Sequence, residues 1–173
     1  QNNSEADKPQ SLFNKLFSRT LFFRQYETRF LKITAKQSVD MSEEFAPIPL
    51  LKIIPNKKGK YSQYFTNDDV ETIKNYGLDF IVRFGFGILK GEILNAAKYG
   101  VWSYHHGDKN QFRGGPPGFW EIFYSKPTTA AILQRLTSTL DGGVVMKKGC
   151  FKTIHHSYAE QVDTLFTHTS SWI

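Results

Sequence analysis

The sequence predicts an α/β fold in which a mostly parallel sheet is flanked by helices and ends in an antiparallel hairpin. Strand-like and helix-like segments alternate from Asn67 to His105, which is the order of a parallel sheet with crossover helices. Two long strand-like segments, Thr128–Thr137 and Val144–Thr153, are joined by a turn at Asp141-Gly142. The length of 173 residues suits one domain with a sizeable core.

The first third of the chain carries weaker signals. Residues 1–10 are polar and are predicted to be a tail or linker, which leaves 11–173 as a single domain. Ser11 is placed to cap a helix that runs to about Lys32, whose apolar, aromatic stripe suits a core or a membrane surface. Core packing is the commoner use of such a stripe. An irregular connection over Lys36–Pro49 then precedes Leu50–Ile54, a predicted short buried strand.

The central segment has clearer boundaries. Asn67, followed by acidic residues, predicts a helix start, and Gly77 predicts its end. Leu78–Phe84 is then predicted to be a buried strand, and a Gly-Phe-Gly turn follows it. Ile88–Tyr99 is predicted to be a second helix, closed by a glycine, and Val101–His105 the next strand.

The last segment begins with a loop rich in glycine and proline, Gly107–Gly118. A short helix is predicted over Phe119–Ser125, before the hairpin strands. A final helix is predicted to open at His155 or Ser157 and to run towards Phe166.

Charge and composition exclude several classes of protein. The net charge is +6 from 22 basic and 16 acidic residues, an excess too diffuse to favour nucleic-acid binding. No apolar run approaches the ~20 residues of a membrane span. Cys150 is the sole cysteine, which excludes a disulfide within the chain and fits a reducing compartment such as the cytoplasm. The 15 Phe, 8 Tyr and 3 Trp predict a well-filled core and a ring-lined pocket.

Candidate chemistry concentrates in the loops after the predicted strands, where ligands bind in open α/β sheets. At the end of its strand, His105 suits either a general acid or a residue that braces the loop. Asp141 is either a functional carboxylate or an ordinary hairpin residue. The dipeptides His105-His106 and His155-His156 supply metal-ligand types without a zinc spacing, and adjacent strand residues face opposite ways, so no metal is expected. Cys150 is predicted to be a buried structural thiol.

Three segments, in order, resemble the folate-dependent formyltransferases: DFIVRFGFGIL, SYHHGDKNQFRG and TLDGG. The family shows IVxxGxxxIL, then N-x-H-P-S-x-L-P-x-[YF]-[RK]-G, then a hairpin with D-x-G. The resemblance spans about Leu78–Thr153. Aligning Phe112-Arg113-Gly114 with the family's [YF]-[RK]-G puts His105 at the catalytic histidine, and Asp141 falls at the catalytic aspartate.

The chain departs from the family pattern at defined positions. Ser103 stands where the family's third catalytic residue is asparagine, and its hydroxyl offers a shorter donor. His106 replaces the proline, and Gly107–Asn110 replaces the S-x-L-P stretch. A signature HHGD…RGGPPGFWE therefore marks an atypical branch.

The resemblance implies a Rossmann-like domain that moves a one-carbon formyl group from 10-formyltetrahydrofolate to a primary amine, with an amino sugar favoured. It implies catalytic roles for His105, Asp141 and Ser103. The pterin ring of the donor would lie near four apolar residues: Ile88, Leu89, Leu136 and Leu140. Arg113 and Gly114 would hold the substrate or brace their loop. The alternatives are a non-catalytic scaffold of the same fold and a part of a larger multidomain enzyme.

Overall fold

A computed structural model describes residues 21–108, 111–112, 115–139 and 142–173. The predicted tail and the predicted helix start at Ser11 lie outside these residues. The helices are α1 (described over residues 21–30), α2 (Ser42–Phe45), α3 (Asn67–Lys74), α4 (Phe119–Phe123) and α5 (Tyr158–Thr169). Short 3-10 turns cover Thr34–Lys36, Glu92–Asn95 and Ser170–Trp172. The strands are β1 (Asn56–Lys58), β2 (Ser62–Tyr64), β3 (Ile81–Val82), β4 (Ile88–Lys90), β5 (Val101–His105), β6 (Thr128–Arg135) and β7 (Val144–Lys152).

The described strands form two mixed sheets. One has the order β1-β2-β4, and the other has the order β3-β5-β6-β7. The pairs β2-β4 and β3-β5 are parallel, whereas β1-β2, β5-β6 and β6-β7 are antiparallel. The prediction agrees with the structure in the α/β class, the parallel β3-β5 pair and the closing hairpin. It differs in one respect: the parallel pairs are divided between two sheets instead of lying in one.

The core of the larger sheet lies along β6. Its central side chains, Ala130–Leu133, are all buried, and the facing Val101 of β5 is buried too. The β6-β7 register shifts between Leu133 and Gln134, so the strand is irregular next to the turn that follows it. This irregularity lies beside the candidate site.

Helix α5 packs on this sheet through specific polar contacts as well as apolar ones. The fully buried Gln161 accepts a hydrogen bond from the Ile154 amide at 2.6 Å. Asp163 accepts from the amides of Thr34 and Ala35 at 3.2 and 2.7 Å, which ties the N-terminal segment to the helix. Phe23 of α1 packs on Phe119 and Tyr158, with ring centroids 4.4 and 4.8 Å apart. Of the predicted apolar stripe, Leu21, Tyr26 and Phe30 are 49%, 51% and 66% exposed. The predicted core packing is therefore not found at these residues, and Phe23 makes the contact instead.

Two predicted elements are wrong. Leu50–Ile54 is not a strand: Leu50 is 80% and Ile54 91% exposed, and β1 begins only after Pro55. The prolines that flank this run lack the amide that a paired strand must donate. Ile88–Tyr99 is not one helix, because Ile88–Lys90 joins β2 as β4 and a 3-10 turn follows Gly91. The predicted strand over Leu78–Phe84 shortens to the two residues of β3.

The predicted starts of α3 and α5 are confirmed. Thr66 caps α3: its hydroxyl accepts from the Asp69 amide at 3.2 Å while the Asp69 carboxylate accepts from the Thr66 amide at 3.1 Å. This reciprocal pair is a capping box. Ser157 caps α5 in a similar way, through the Glu160 amide at 3.2 Å.

His106 is a buried contact between β5 and α5. Its ring stacks on Phe166 at 4.3 Å, and its Nε2 lies 3.0 Å from the Thr169 hydroxyl. Burial, the neighbouring His105 and Lys36 together lower the pKa of His106 to about 4. His106 is therefore a neutral packing residue at neutral pH.

Replacing Thr66 by alanine should lower the free energy of unfolding by about 1 kcal/mol, because the Asp69 amide loses its acceptor, the Thr66 hydroxyl. The measurement is urea denaturation followed by circular dichroism. Thr72→Ala is the matched control: Thr72 is an exposed threonine within α3 whose hydroxyl donates to the Asp68 carbonyl at 2.8 Å. Equal losses from the two variants would contradict the capping role of Thr66.

Acid should destabilise the fold through His106. The pKa of about 4 in the folded chain lies below the ordinary 6.5, so the unfolded chain takes up this proton first. Stability is complete above pH 6.5 and falls as the pH drops towards 4. Between pH 7 and 4.5 this contribution is about 2 kcal/mol. His106→Gln should remove that part of the pH dependence in urea titrations, whereas an unchanged slope would contradict the assignment.

Candidate active site

Arg83 organises the loop that follows β3. Its Nη1 donates to the carbonyls of Phe86 and Gly87, both at 2.8 Å. Its Nε donates to the Ser103 hydroxyl at 3.1 Å. Burial lowers the pKa of the guanidinium. The predicted Gly85-Phe86-Gly87 turn is thus hydrogen-bonded to a half-buried cation, which also connects it to β5.

Two of the predicted catalytic residues, Ser103 and His105, alternate with Trp102 and Tyr104 and therefore share one face of β5. Ser103 is only 1% exposed, and its hydroxyl also approaches the Tyr104 carbonyl at 3.3 Å. His105 is the last residue of the strand and is half-buried.

The turn between β6 and β7 comes close to Ser103. Gln134 of β6 is the register partner of Ser103, and a Cβ added to Gly143 would lie 2.6 Å from the Gln134 amide oxygen. Lys90 of β4 donates to the Ser138 carbonyl, which joins this turn to the smaller sheet. Asp141, the third predicted catalytic residue, and Leu140 lie outside the described residues.

A cavity of about 510 Å³ lies between residues 91–100 and residues 135–138. Its lining combines apolar and charged groups, among them Leu94, Leu136, Glu92, Lys98 and Arg135. Leu136 was predicted to bind the donor. The predicted Leu89 is buried in the apolar cluster against which Leu136 packs, and Ile88 is its neighbour on β4.

The cavity and His105 lie at different ends of β5. Arg135 pairs with Trp102 near the start of the strand, and Ile132 pairs with His105 at its end. The separation is roughly 10 Å along the strand. The cavity therefore opens at the amino end of β5, although ligands were expected beyond the carboxyl ends.

The HHGD loop after β5 is pinned to β7 and to itself. Asp108 accepts from Lys148 Nζ at 3.0 Å. Its carbonyl accepts from the Gln111 and Phe112 amides at 2.9 and 2.8 Å. Arg113 and Gly114, the predicted substrate residues, lie outside the described residues. Arg24 of α1 approaches the same loop, since its Nη2 lies 3.3 Å from a Cβ built on Gly115.

Glu121 is a potential functional residue that the sequence reasoning missed. It lies in α4, is 3% exposed, and its carboxylate approaches the HHGD loop. Burial raises the pKa of this carboxyl. The sequence feature that could have identified it is the single acidic residue in the otherwise apolar segment FWEIF. Burial of a carboxylate costs free energy, so a carboxylate in such a segment suggests a functional role.

The remaining candidates do not assemble into a site. His106 faces α5 through Thr169, whereas His105 Nε2 lies against Gly107. In the part of the chain that the structure describes, no three His, Cys, Asp or Glu residues are grouped to hold a metal ion. Cys150 is exposed on β7, so the prediction of a buried thiol is wrong, because β7 is an edge strand. Within the described residues, no helix has the length and apolarity to cross a membrane.

Comparison with known proteins gives a consistent result. No family model matches the chain. Over 82 residues it is 33% identical to the methionyl-tRNA formyltransferases of two Clostridium perfringens strains, which is 47% of this chain and 26% of each relative. The chain thus matches about a quarter of the length of these relatives.

Two solved structures share the fold. A formyltetrahydrofolate deformylase from Pseudomonas syringae superposes with a TM-score of 0.51 at 16% identity, over 61% of this chain and 36% of that one. Glycinamide ribonucleotide transformylase 1 from Symbiobacterium toebii also gives 0.51, at 15% identity, over 61% and 51%. The chain therefore has a formyltransferase-like fold, as the resemblance implies.

Proposed function

We propose that this domain transfers a formyl group from 10-formyltetrahydrofolate to a primary amine. The observation that carries the proposal is the shared face of Ser103 and His105, which Arg83 ties to the loop after β3. The same strand runs past the 510 Å³ cavity, a volume within the usual range for cofactor sites. The names of the similar proteins agree with a formyl group as the transferred unit.

In this proposal the donor's pterin ring occupies the cavity. Leu136 lines the cavity wall, and Leu89 lies beneath it in the apolar cluster. Ile88 and Leu140 complete the apolar set that the resemblance implies. Charged and polar groups at the rim, such as Arg135 and Ser138, suit the polar edges of a pterin. A ligand seated there and directed along β5 brings its reactive end towards His105.

The donor supplies an activated formyl carbon, which the acceptor amine attacks. His105 donates a hydrogen bond to the formyl oxygen as negative charge develops there, a contribution of about 3 kcal/mol for one well-aimed donor. Asp141 accepts the proton that the amine loses. The bond between the formyl carbon and N10 of the donor then breaks, and the tetrahydrofolate that leaves takes up this proton at N10. Ser103 acts through Arg83, because its hydroxyl already accepts from that guanidinium and has almost no exposed surface.

For the acceptor we propose a small amine, with an amino sugar as the first choice. Arg113 and Gly114 hold it, as the resemblance implies. The guanidinium of Arg24 lies near Gly115, at the end of that loop. Its positive charge suits an acceptor that carries a phosphate. We propose a cytoplasmic setting, where the exposed Cys150 would stay reduced.

Donor binding can be tested by calorimetry with a stable analogue of 10-formyltetrahydrofolate. The wild-type chain should bind saturably, and Ser138→Trp should weaken binding at least tenfold because the exposed Ser138 lies at the cavity rim. Ser170→Trp, on an exposed turn after α5, is the matched control and should bind as the wild type does. If a folded wild-type chain does not bind, the folate assignment fails and the scaffold alternative stands.

Catalysis can be tested by mixing the donor with an amino sugar nucleotide, glycinamide ribonucleotide or methionyl-tRNA. We expect the amino sugar to be formylated fastest. His105→Ala should lower kcat by about 10²–10³-fold, because one aimed donor is lost, and should leave donor affinity nearly unchanged. Equal rates for wild type and His105→Ala would remove His105 from the mechanism, and a faster reaction with another amine would correct the acceptor.

A further inference from the structure

Glu121 is an unusual feature of the HHGD region. It lies in α4 among aromatic residues and is only 3% exposed. Its Oε1 has no hydrogen-bond partner among the residues that the structure describes. A buried carboxylate oxygen without a partner costs free energy, so its retention calls for an explanation beyond packing.

Gly107 separates this carboxylate from His105. A Cβ built on Gly107 would lie 3.3 Å from His105 Nε2, 3.8 Å from the Phe112 carbonyl oxygen and 3.9 Å from Glu121 Oε1. The absence of a side chain at this position therefore leaves three polar atoms facing one small space. His105 Nε2 itself is shielded from solvent. In the proposed reaction, Nδ1 is the ring nitrogen that meets the substrate.

We propose that Glu121 is a positioning residue for His105: its carboxyl faces Nε2 across Gly107 and fixes which ring nitrogen carries the proton. This inference rests on the proposed function only for its catalytic consequence. When one nitrogen of a neutral imidazole is engaged, the other takes the complementary role. A carboxyl group that donates its proton towards Nε2, directly or through one water molecule, leaves Nδ1 as the N–H donor.

The largest effect of the surroundings on Glu121 is burial, which shifts its pKa upwards, in the direction of the protonated carboxyl. Burial raises its pKa, two backbone amides (its own and that of Asp108) lower it, and the Asp108 carboxylate raises it. Lys148 of β7 pairs with Asp108 on the outer side of the loop, and His105 faces Glu121 from β5. A protonated carboxyl is both donor and acceptor, as this arrangement needs.

The catalytic consequence concerns the formyl oxygen. An imidazole with its proton on Nδ1 can donate to that oxygen without first being charged, so the site works with neutral His105. No proton is transferred from Glu121 in this role. The carboxyl only holds the tautomer, and Asp141 still accepts the amine proton in the proposed reaction.

The test measures the tautomer of His105 directly, by long-range ¹H–¹⁵N spectra of histidine-labelled full-length chain, assigned with His105→Gln. Nδ1–H should predominate in the wild type. Glu121→Gln, whose amide can still donate to Nε2, should retain that tautomer, and Glu121→Met should lose it. Glu160→Gln, which removes the carboxylate beside the exposed His156, is the control and should leave His105 unchanged.

A second variant keeps the carboxyl in place. Gly107→Ala inserts a methyl group between Glu121 and His105 and should shift the tautomer as Glu121→Met does. If both variants fold and His105 keeps its wild-type tautomer, Glu121 only braces the loop and the proposal is overturned. Formyl transfer should fall about ten- to hundredfold in Glu121→Met at unchanged donor affinity, and Glu121→Gln should restore most of it. If the chain does not bind folate but the Glu121 variants still shift the His105 tautomer, the proposed function is refuted. The role of Glu121 in positioning His105 then stands.

Discussion

The arrangement of the candidate site depends on one half-buried cation, Arg83. Its guanidinium reaches two loop carbonyls and the Ser103 hydroxyl, so a single side chain sets the loop after β3 and the face of β5 together. All three acceptors are neutral oxygens that point in different directions. A guanidinium matches such a set because its donors are fixed in a plane, whereas a lysine ammonium is a point charge. The hydrogen bond from Arg83 Nε therefore holds the Ser103 hydroxyl in place.

The loop after β5 is held from two sides by carboxylates in opposite environments. Asp108 pairs with Lys148 of β7 at 3.0 Å. Glu121 is almost completely buried in α4, and burial raises its pKa. Gly107 is next to Asp108 in the chain and lies near the Glu121 carboxyl. The two carboxyl groups that contact this loop therefore differ in their surroundings, since one pairs with an ammonium group and the other is shielded from solvent.

The sequence predicted the elements whose signals are local. Val101–His105, the caps of α3 and α5, and the β6-β7 hairpin each depend on a short pattern that tertiary structure did not override. Leu50–Ile54 failed because an apolar run becomes a strand only where a partner strand accepts it.

The candidate site was predictable in part. His105 was found because it ends a predicted strand, and Ser103 because the resemblance puts it at the position of the family's catalytic asparagine. Arg83 and Glu121 were missed because their significance comes from contacts across the fold: with Ser103 in one case and with Gly107 in the other. No periodicity in the chain marks such contacts.

The long strand β7 has a consequence for self-association. It forms the outer edge of the larger sheet and exposes Val144, Val145 and Met146, a sequence prone to pair with a second chain. Lys147 and Lys148 follow immediately, and Lys152 ends the strand. Two chains joined edge to edge along β7 would bring these ammonium groups together, so the lysines act as gatekeepers against strand-mediated aggregation.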